Sequence, residues 1–352
     1  MLPKGGGTGS TSRSVDATPR QAAGVPLAAR VYRQLAGGGF QSGTELARRL
    51  GVSRTAVWKS VVSLRELGVS VHAVRNRGYR LPLLCEPLDT GKIRAALPAE
   101  TGARLRRLET VWALPSTNAA LLERTDLPAG RSDVLVAEYQ SAGRGRRGRV
   151  WLAPPGGAIC LSLSWSFVQL PRDLGALGLA VGVCALRALR ACGAQGVRLK
   201  WPNDLVLEQG KLGGILIEMR AESCGPAYVV VGVGINVALA ATLRSQIAAT
   251  GTQAADLAAA GVTAGPRNEL IAGIVREVIS GLLAFELDGL KPFAEEWQRS
   301  DALRGRSISV LGAEQSTRGI ARGIDGSGAL LLETTEGLKK LVSGEVSVRP
   351  ER

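Results

Sequence analysis

The residues best suited to chemistry lie between positions 115 and 240. The segment Gly143-Arg144-Gly145-Arg146-Arg147-Gly148-Arg149 sets four arginines among three glycines, directly before Val150-Trp151. That much charge excludes a core position. The glycines let backbone amides approach a ligand closely, and the guanidiniums offer paired donors to phosphate or carboxylate. A flexible basic loop for nucleic acid would have the same composition. The spacing is neither that of a Walker phosphate loop nor that of a dinucleotide fingerprint. Four other clusters stand near it in sequence. Ser116-Thr117-Asn118 follows Pro115 and offers small polar groups. Lys200-Trp201-Pro202-Asn203-Asp204 gathers a cation, an aromatic ring, an amide and a carboxylate. Lys211-Leu212-Gly213-Gly214 and Gly232-Val233-Gly234-Ile235-Asn236 place glycines beside a lysine and an amide. Each alone fits a surface turn or a tight bend equally well.

Such groups need a scaffold, and the apolar pattern supplies one. From about residue 86 strands and helices alternate, which predicts a mixed α/β domain over 85–298. Residues 133–138 and 158–167 read as strands, 173–192 as a helix, and 226–233 as a buried strand bounded by Pro226 and Gly234. Ser116 stands at a helix start, and Lys211-Leu212-Gly213-Gly214 precedes an apolar strand ending at Glu218. Residues 299–352 read as a small β-barrel, with Ile308, Val310, Ile320, Ile324, Leu330, Leu332, Leu341, Val346 and Val348 in short strands and Asp325-Gly326-Ser327-Gly328 as a turn.

Residues 25–84 carry a different pattern. Ser42 and Glu45 have the spacing of a capping box, with Glu45 reaching back to the cap, and Gly51 stops that helix. Ser53 caps a second helix, with Val57, Val61 and Leu64 on its buried face and Gly68 at its end. Val69, Val71 and Ala73 alternate as a strand, and Tyr79-Arg80-Leu81 returns. The tip between them holds Arg75, Asn76 and Arg77, closed by Gly78. Two helices around a short turn, followed by a basic hairpin, predict a winged helix-turn-helix. Arg54, Thr55, Trp58 and Lys59 would then face the major groove, with Arg75 and Arg77 on the backbone. Helix pairs of this kind also serve protein–protein contacts.

Charge favours the first of those readings. The chain carries +14, and residues 1–85 hold thirteen Lys or Arg against three Asp or Glu, a local net of +10. Residues 1–24 are Gly-, Ser- and Thr-rich without an apolar stretch, and read as a disordered tail instead of a signal peptide. Five cysteines stand at 85, 160, 184, 192 and 224 with no Cys-x-x-Cys pair, which fits free thiols in a reducing compartment. His72 is the only histidine, which excludes a multi-His metal site, and it falls in the wing. The apolar runs are too short or too interrupted by charge to span a bilayer. A cytoplasmic protein with no membrane partner is expected.

Taken in order, Ser-Thr-Asn, Gln140-x-x-Gly-Arg-Gly-Arg-Arg-Gly, Lys-Trp-Pro-Asn-Asp, Lys-Leu-Gly-Gly-Ile-Leu and Gly-Ile-Asn closely resemble the biotin–protein ligases. With a winged helix in front, the resemblance is to the bifunctional members that also act as the biotin operon repressor, and it runs from about residue 25 to 350. It implies formation of biotinyl-5′-AMP from biotin and ATP, then transfer to a lysine of a biotin carboxyl-carrier domain. By resemblance, Ser116, Thr117, Asn118 and Gln140 line the biotin pocket, and Gly143, Arg144, Gly145 and Arg146 close over biotin and its carboxylate. Lys211 is the cation at the reacting centre, with Arg146 beside it. Trp151, Asn203, Asp204, Asn236 and Arg349 serve the adenylate, and Asp204 serves Mg²⁺. Arg349 equally fits an ordinary surface arginine. Operator DNA and a ligand-promoted homodimer are the other implied partners. Related enzymes often carry a Trp in a second loop, where this chain has Gly251-Thr252-Gln253-Ala254-Ala255. Three alternatives stay open: a lipoate or octanoate ligase, a repressor that senses biotin without catalysis, and a ligase whose winged helix no longer regulates transcription.

Overall fold

The computed structural model describes residues 25–82, 86–124, 126–171, 173–220, 227–262, 267–311, 316–342 and 347–350, with backbone only at 347, 349 and 350. The expectations for residues 1–24, for Cys85 and Cys224, and for Val346 lie outside the described residues, as does the Arg349 side chain.

Three short helices open the chain: α1 (Leu27–Leu35), α2 (Gly43–Leu50) and α3 (Arg54–Glu66), followed by the hairpin β1 (His72–Val74) and β2 (Gly78–Arg80). Ser42 and Ser53 cap α2 and α3 by accepting from Glu45 N and Ala56 N. The capping box forms only by half. The Glu45 carboxylate does not reach back; it pairs with Arg48 and Arg49 at 2.7 and 2.6 Å. Two guanidiniums one turn away outcompete one amide, and their hydrogen bonds, Arg48 first, hold Glu45 down at about 2. Val57, Val61 and Leu64 are buried with Tyr32, Leu35 and Leu46 in one small core. Gly78 is obligatory in the wing: its φ is +99°, and a Cβ there would fall on the Gln41 carbonyl. Arg54, Thr55, Trp58, Lys59, Arg75 and Arg77 are all exposed, and Arg77 also stacks on the Phe40 ring at 4.3 Å. His72 is an exposed wing residue.

The central unit contains α4 (Thr90–Ala95), α5 (Ala99–Arg104), β3 (Leu105–Leu114), α6 (Thr117–Leu122), β4 (Ser132–Gln140), β5 (Ala158–Ser166), α7 (Leu177–Ala191), β6 (Arg198–Lys200), β7 (Asp204–Leu207), β8 (Gly210–Arg220), β9 (Tyr228–Asn236), α8 (Ala241–Ala249), α9 (Arg267–Asp288) and α10 (Lys291–Ser300). Its strands form a seven-stranded sheet in the order β3-β4-β5-β9-β8-β7-β6, in which only β3 and β4 run parallel. The helix expected over 173–192 begins as a 3₁₀ turn, Leu174–Ala176, and becomes α-helical at Leu177. This segment is apolar and long enough to span a bilayer, but two-thirds of it is buried in the protein, so it is a core helix.

Strand periodicity splits the sheet into two faces. Ile159, Leu161, Leu163 and Trp165 of β5, with Val229, Val231, Val233 and Ile235 of β9, join α7 and α9 in the main core. The alternate residues, including Ser162, Gly232 and Gly234, face the other way, where α6 lies. Two differences from the sequence reading bear on the site. Strand β9 does not stop at Gly234 but continues to Asn236, because β8 pairs with it as far as Ile235 and β5 as far as Asn236. Lys211 lies within β8, not before it.

The C-terminal strands β10 (Ser307–Leu311), β11 (Ser316–Ile324), β12 (Leu330–Thr334), β13 (Gly337–Leu341) and β14 (Ser347–Pro350) make a five-stranded antiparallel sheet in the order β13-β12-β11-β10-β14. Its Asp325–Gly328 turn docks on the central unit. The buried Trp201 indole donates to the Gly328 carbonyl at 3.1 Å. A Cβ on Gly328 would come within 2.8 Å of Leu179.

The winged helix is held on two sides. Tyr32 packs on Trp112 with ring centroids 5.6 Å apart. The segment after the wing is tied down by a buried pair in which Arg267 donates to both Glu138 oxygens at 2.6 Å. Glu138 also accepts from Leu88 N at 2.6 Å, and the Asn268 amide bonds Pro87 O and Asp89 N.

Candidate active site

The polar face of the sheet is floored by two cross-strand rows set by register. Ser162, Gly232 and Leu216 form one row, and Cys160, Gly234 and Gly214 the next. Each glycine makes room for a side chain arriving from elsewhere. A Cβ on Gly232 would fall on Asn118 Oδ1, and one on Gly234 would sit 2.8 Å from Trp151 Cε2. A Cβ on Gly214 would lie 3.3 Å from Lys211 Nζ. The glycines of the Gly-Val-Gly-Ile-Asn and Lys-Leu-Gly-Gly segments are therefore the floor of a groove, not the bends their composition also allowed.

Over the first row the Ser-Thr-Asn segment is laid down by α6. Ser116 caps that helix, accepting from Ala119 N. Thr117 donates from N and Oγ1 to Gln140 Oε1 at 2.8 and 3.1 Å. Ser162 Oγ meets Thr117 Oγ1 at 2.6 Å and Asn118 Oδ1 at 2.5 Å. Asn118 Nδ2 donates to Glu218 Oε2 at 2.8 Å and to Leu216 O at 3.3 Å. The carboxylate of Glu218 also takes the Arg144 guanidinium, 3.1 Å away. Gln140, Thr117, Ser162, Asn118, Glu218 and Arg144 are thus one connected polar chain. Ser162 and Glu218 were missed by sequence reasoning. A lone serine in a hydrophobic strand gives no signal; Glu218 had one, as the polar residue closing an apolar run.

The arginine-glycine loop rises from this floor as a narrow turn. Trp151 N donates to Gly143 O at 2.8 Å, and Gly145 N to Arg149 O at 2.7 Å. Gly143 must be glycine, since a Cβ would fall on the Trp151 carbonyl. Gly145 and Arg146 are half-buried, Arg144 is exposed, and Arg147 takes a left-handed φ of 59°. Arg146 Nη1 stands 3.5 Å from Asn203 Oδ1, and burial draws its guanidinium below the ordinary arginine range.

Over the second row lies a more charged cluster. Lys211 Nζ pairs with Asp204 Oδ1 at 2.5 Å, and Lys200 approaches Asp204 Oδ2 at 3.9 Å. Lys211 Nζ stands 6.0 Å from the centroid of Trp151. The Trp151 indole N–H is buried and has no hydrogen-bond partner among the described residues, a costly state that a ligand acceptor would relieve. Asn203 donates to Ile215 O at 2.7 Å, which leaves its oxygen toward Arg146. Asn236 also has a structural part. Its amide donates to Ala255 O and Lys211 O at 2.9 and 3.3 Å, tying the 251–255 segment to β8. That segment pairs with the lysine's own backbone: Lys211 N donates to Gln253 O, and Ala255 N to Lys211 O. The 251–255 segment is therefore a bridge that fixes the root of Lys211.

The groove therefore has a neutral, hydrogen-bonding end and a cationic end under one arginine loop. A polar ring system fits the first and a phosphate ester the second. Among the described residues no three His, Cys, Asp or Glu side chains cluster as a metal site. Cys160 and Cys184 are buried free thiols pushed up to about 12 by burial, and neither is a nucleophile.

Comparison with known proteins agrees with this arrangement. Residues 113–236 match the biotin/lipoate A/B protein ligase family, 28–80 an HTH domain, and 304–349 the biotin protein ligase C-terminal domain. The chain is 38% identical to the bifunctional ligase/repressor BirA of Escherichia coli (strain K12) over 92% of its length and 97% of that protein's. It is 32% identical to BirA of Bacillus subtilis (strain 168), covering 89% of this chain and 95% of that protein. A biotin protein ligase from Aquifex aeolicus in complex with biotin and ATP superposes with a TM-score of 0.58 at 27% identity, covering 70% of this chain and all of that one. On these matches the chain belongs to the biotin protein ligase family, with the helix-turn-helix arrangement of its bifunctional ligase/repressor members.

Proposed function

We propose that the protein makes biotinyl-5′-AMP from biotin and ATP in this groove and passes the biotinyl group to a lysine of a carrier domain. The observation that carries the reading is the pairing, on one sheet face, of the Ser116–Asn118 and Gln140 network with the Lys211, Asp204 and Trp151 cluster. The first end suits the ureido ring of biotin, whose two N–H groups and carbonyl match hydroxyl and amide side chains. The second suits the carboxylate and α-phosphate. The biotin carboxylate attacks the α-phosphorus and pyrophosphate leaves. The carrier lysine then attacks the mixed anhydride, AMP leaves, and the amine gives up its proton. Both steps use substrate nucleophiles, and neither buried thiol, Cys160 nor Cys184, is needed. Lys211 and Arg146 place fixed positive charge where negative charge develops on the phosphate. Trp151 supplies an apolar wall and an N–H donor.

Asp204 supplies one carboxylate, and Asn203 beside it an amide oxygen. Mg²⁺ bound mainly through nucleotide phosphates and water needs little more, so the donor set fits a metal that arrives with ATP. Such an ion would neutralise the phosphates as they separate. The winged helix, with Arg54, Thr55, Trp58, Lys59, Arg75 and Arg77 exposed, suits operator DNA. A ligand-promoted homodimer would supply the second half-site, and a cytoplasmic location agrees with the buried free thiols. The test is incubation of the full chain with ATP, Mg²⁺, biotin and a biotin-carrier domain, followed by mass spectrometry. Addition of one biotinyl group to a single carrier lysine is expected. Labelling with lipoate or octanoate in its place would overturn the reading.

A further inference from the structure

Glu218 lies where the two halves of the biotin end meet. It sits on β8 two residues beyond Leu216, on the groove face, paired in register with Val230 of β9. One carboxylate oxygen accepts from Asn118 Nδ2 at 2.8 Å, and the group holds Arg144 at 3.1 Å. Asn118 is buried, whereas Arg144 belongs to the exposed side of the loop. An amide can present either its oxygen or its nitrogen to a ligand, and the neighbours decide which. Here Ser162 Oγ contacts Oδ1, while Glu218 and Leu216 O both demand the nitrogen. Only Glu218 among these is also tied to the loop.

We propose that Glu218 is a positioning residue of the biotin end: one carboxylate fixes the orientation of the Asn118 amide and holds Arg144, so the ring pocket and its covering loop are set together. The inference rests on the ligase reading. It gives Glu218 two separable duties. The hydrogen bond to Asn118 needs only an acceptor oxygen, which glutamine also has. The hold on Arg144 needs charge, which glutamine lacks. An ordinary half-exposed ion pair would show neither duty, because such pairs contribute little.

Glu218→Ala and Glu218→Gln in the full-length protein separate the two. Three measurements are needed: biotin affinity by calorimetry without ATP, the rate of tryptic cleavage within residues 144–149, and thermal unfolding to confirm both variants fold. Glu218→Ala should weaken biotin about tenfold, the usual cost of one lost charge-assisted hydrogen bond. Glu218→Gln should restore affinity to within about threefold of the parent by supplying the acceptor. Both should be cleaved faster than the parent in the loop. Unchanged affinity in Glu218→Ala, no rescue by glutamine, or parental cleavage rates in both variants would overturn the proposal while leaving the ligase reading intact. A parent that binds no biotin would overturn both.

Discussion

Replacing Gly232 with alanine tests the geometry of the groove floor with a single methyl group. Gly232 lies in the middle of β9 with β5 and β8 paired on either side, and its backbone is ordinary strand, so alanine adds no dihedral strain. Alanine should even gain roughly 0.5–1 kcal/mol of backbone entropy. Against this, the new Cβ lands on Asn118 Oδ1 and within 3.0 Å of Cγ and Nδ2. Asn118 is buried, so its amide must swing away and break its bonds to Ser162, Glu218 and Leu216 O. At about 1 kcal/mol for each neutral bond and about 2 for the one to a carboxylate, the loss is roughly 4 kcal/mol before relaxation. Even with half recovered by repacking and the entropy gain, about 1–2 kcal/mol of stability should go, which is a few degrees in Tm for a domain of this size. The larger effect is on binding. If the displaced amide no longer meets the ureido group, one or two hydrogen bonds are forfeited and Kd for biotin rises about 10²-fold. Calorimetric titration with biotin alone reads this directly. Gly234→Ala is the matched control: it crowds Trp151 and leaves Asn118 untouched, so biotin affinity should hold while adenylate formation slows. A Gly232→Ala protein that binds biotin within twofold of the parent would refute the placement of the ring at this end.

Four further outcomes are expected. Lys211→Ala should fold and bind biotin but form adenylate about 10²–10³ times more slowly in a single turnover, as expected when one preorganised charge is lost; an unchanged rate would remove Lys211 from the chemistry. Arg146→Gly should release adenylate faster, because the loop loses its half-buried guanidinium facing Asn203, and stopped-flow dissociation measures it. Asp325 is held down at about 2, below the ordinary aspartate range, by its hydrogen bond to Ser327, aided by Lys340. Its stabilising contribution is therefore complete above about pH 4 and is lost as pH falls through about 2. Acid titration of Asp325→Asn should lose that part of the parent's transition, read as the Trp201 fluorescence change when the C-terminal sheet detaches. DNA binding should weaken steeply with salt, given the +10 over residues 1–85. It should tighten on adding biotin and ATP if adenylate favours the dimer; identical binding in both conditions would sink that switch.

What could be read from the sequence was governed by how local the signal is. Ser42, Ser53 and Gly51 act on their immediate neighbours and Gly78 sets a turn by its own φ, so the winged helix was legible with its wing tip; the Gln41 carbonyl that also requires Gly78 was not. The fate of Glu45 was not, because the contest between the cap and two arginines is settled by distances of a few tenths of an ångström. The glycines of β9 were visible as a motif, but their purpose was hidden. Gly232 and Gly234 exist to admit Asn118 and Trp151, which arrive from positions more than eighty residues away. For the same reason β9 was expected to end three residues early: glycine reads as a stop until its visitor is known. Asn236 was visible by motif alone, and the bonds from its amide to carbonyls of two other segments were not. Ser162 carries no sequence signal, since its meaning depends on which face of β5 is turned toward α6.

The buried pair between Glu138 and Arg267 makes the segment after the wing a hinge that has been welded. Just beyond the DNA-binding unit, the chain is bonded through Glu86, Pro87 and Asp89 to Asn268 at the start of α9 and through Leu88 to Glu138 of β4, and Tyr32 on Trp112 braces the opposite side. A recognition helix mounted this way cannot search for its half-site by swinging on a tether. The distance between two such helices would be inherited from the way two central units meet, like the gap of a fixed calliper. Operator spacing would then be a measurement of the catalytic domain. Half-sites moved apart by a few base pairs should fail even when each keeps its sequence, whereas cutting Arg267 away should broaden the tolerated spacings as it lowers stability.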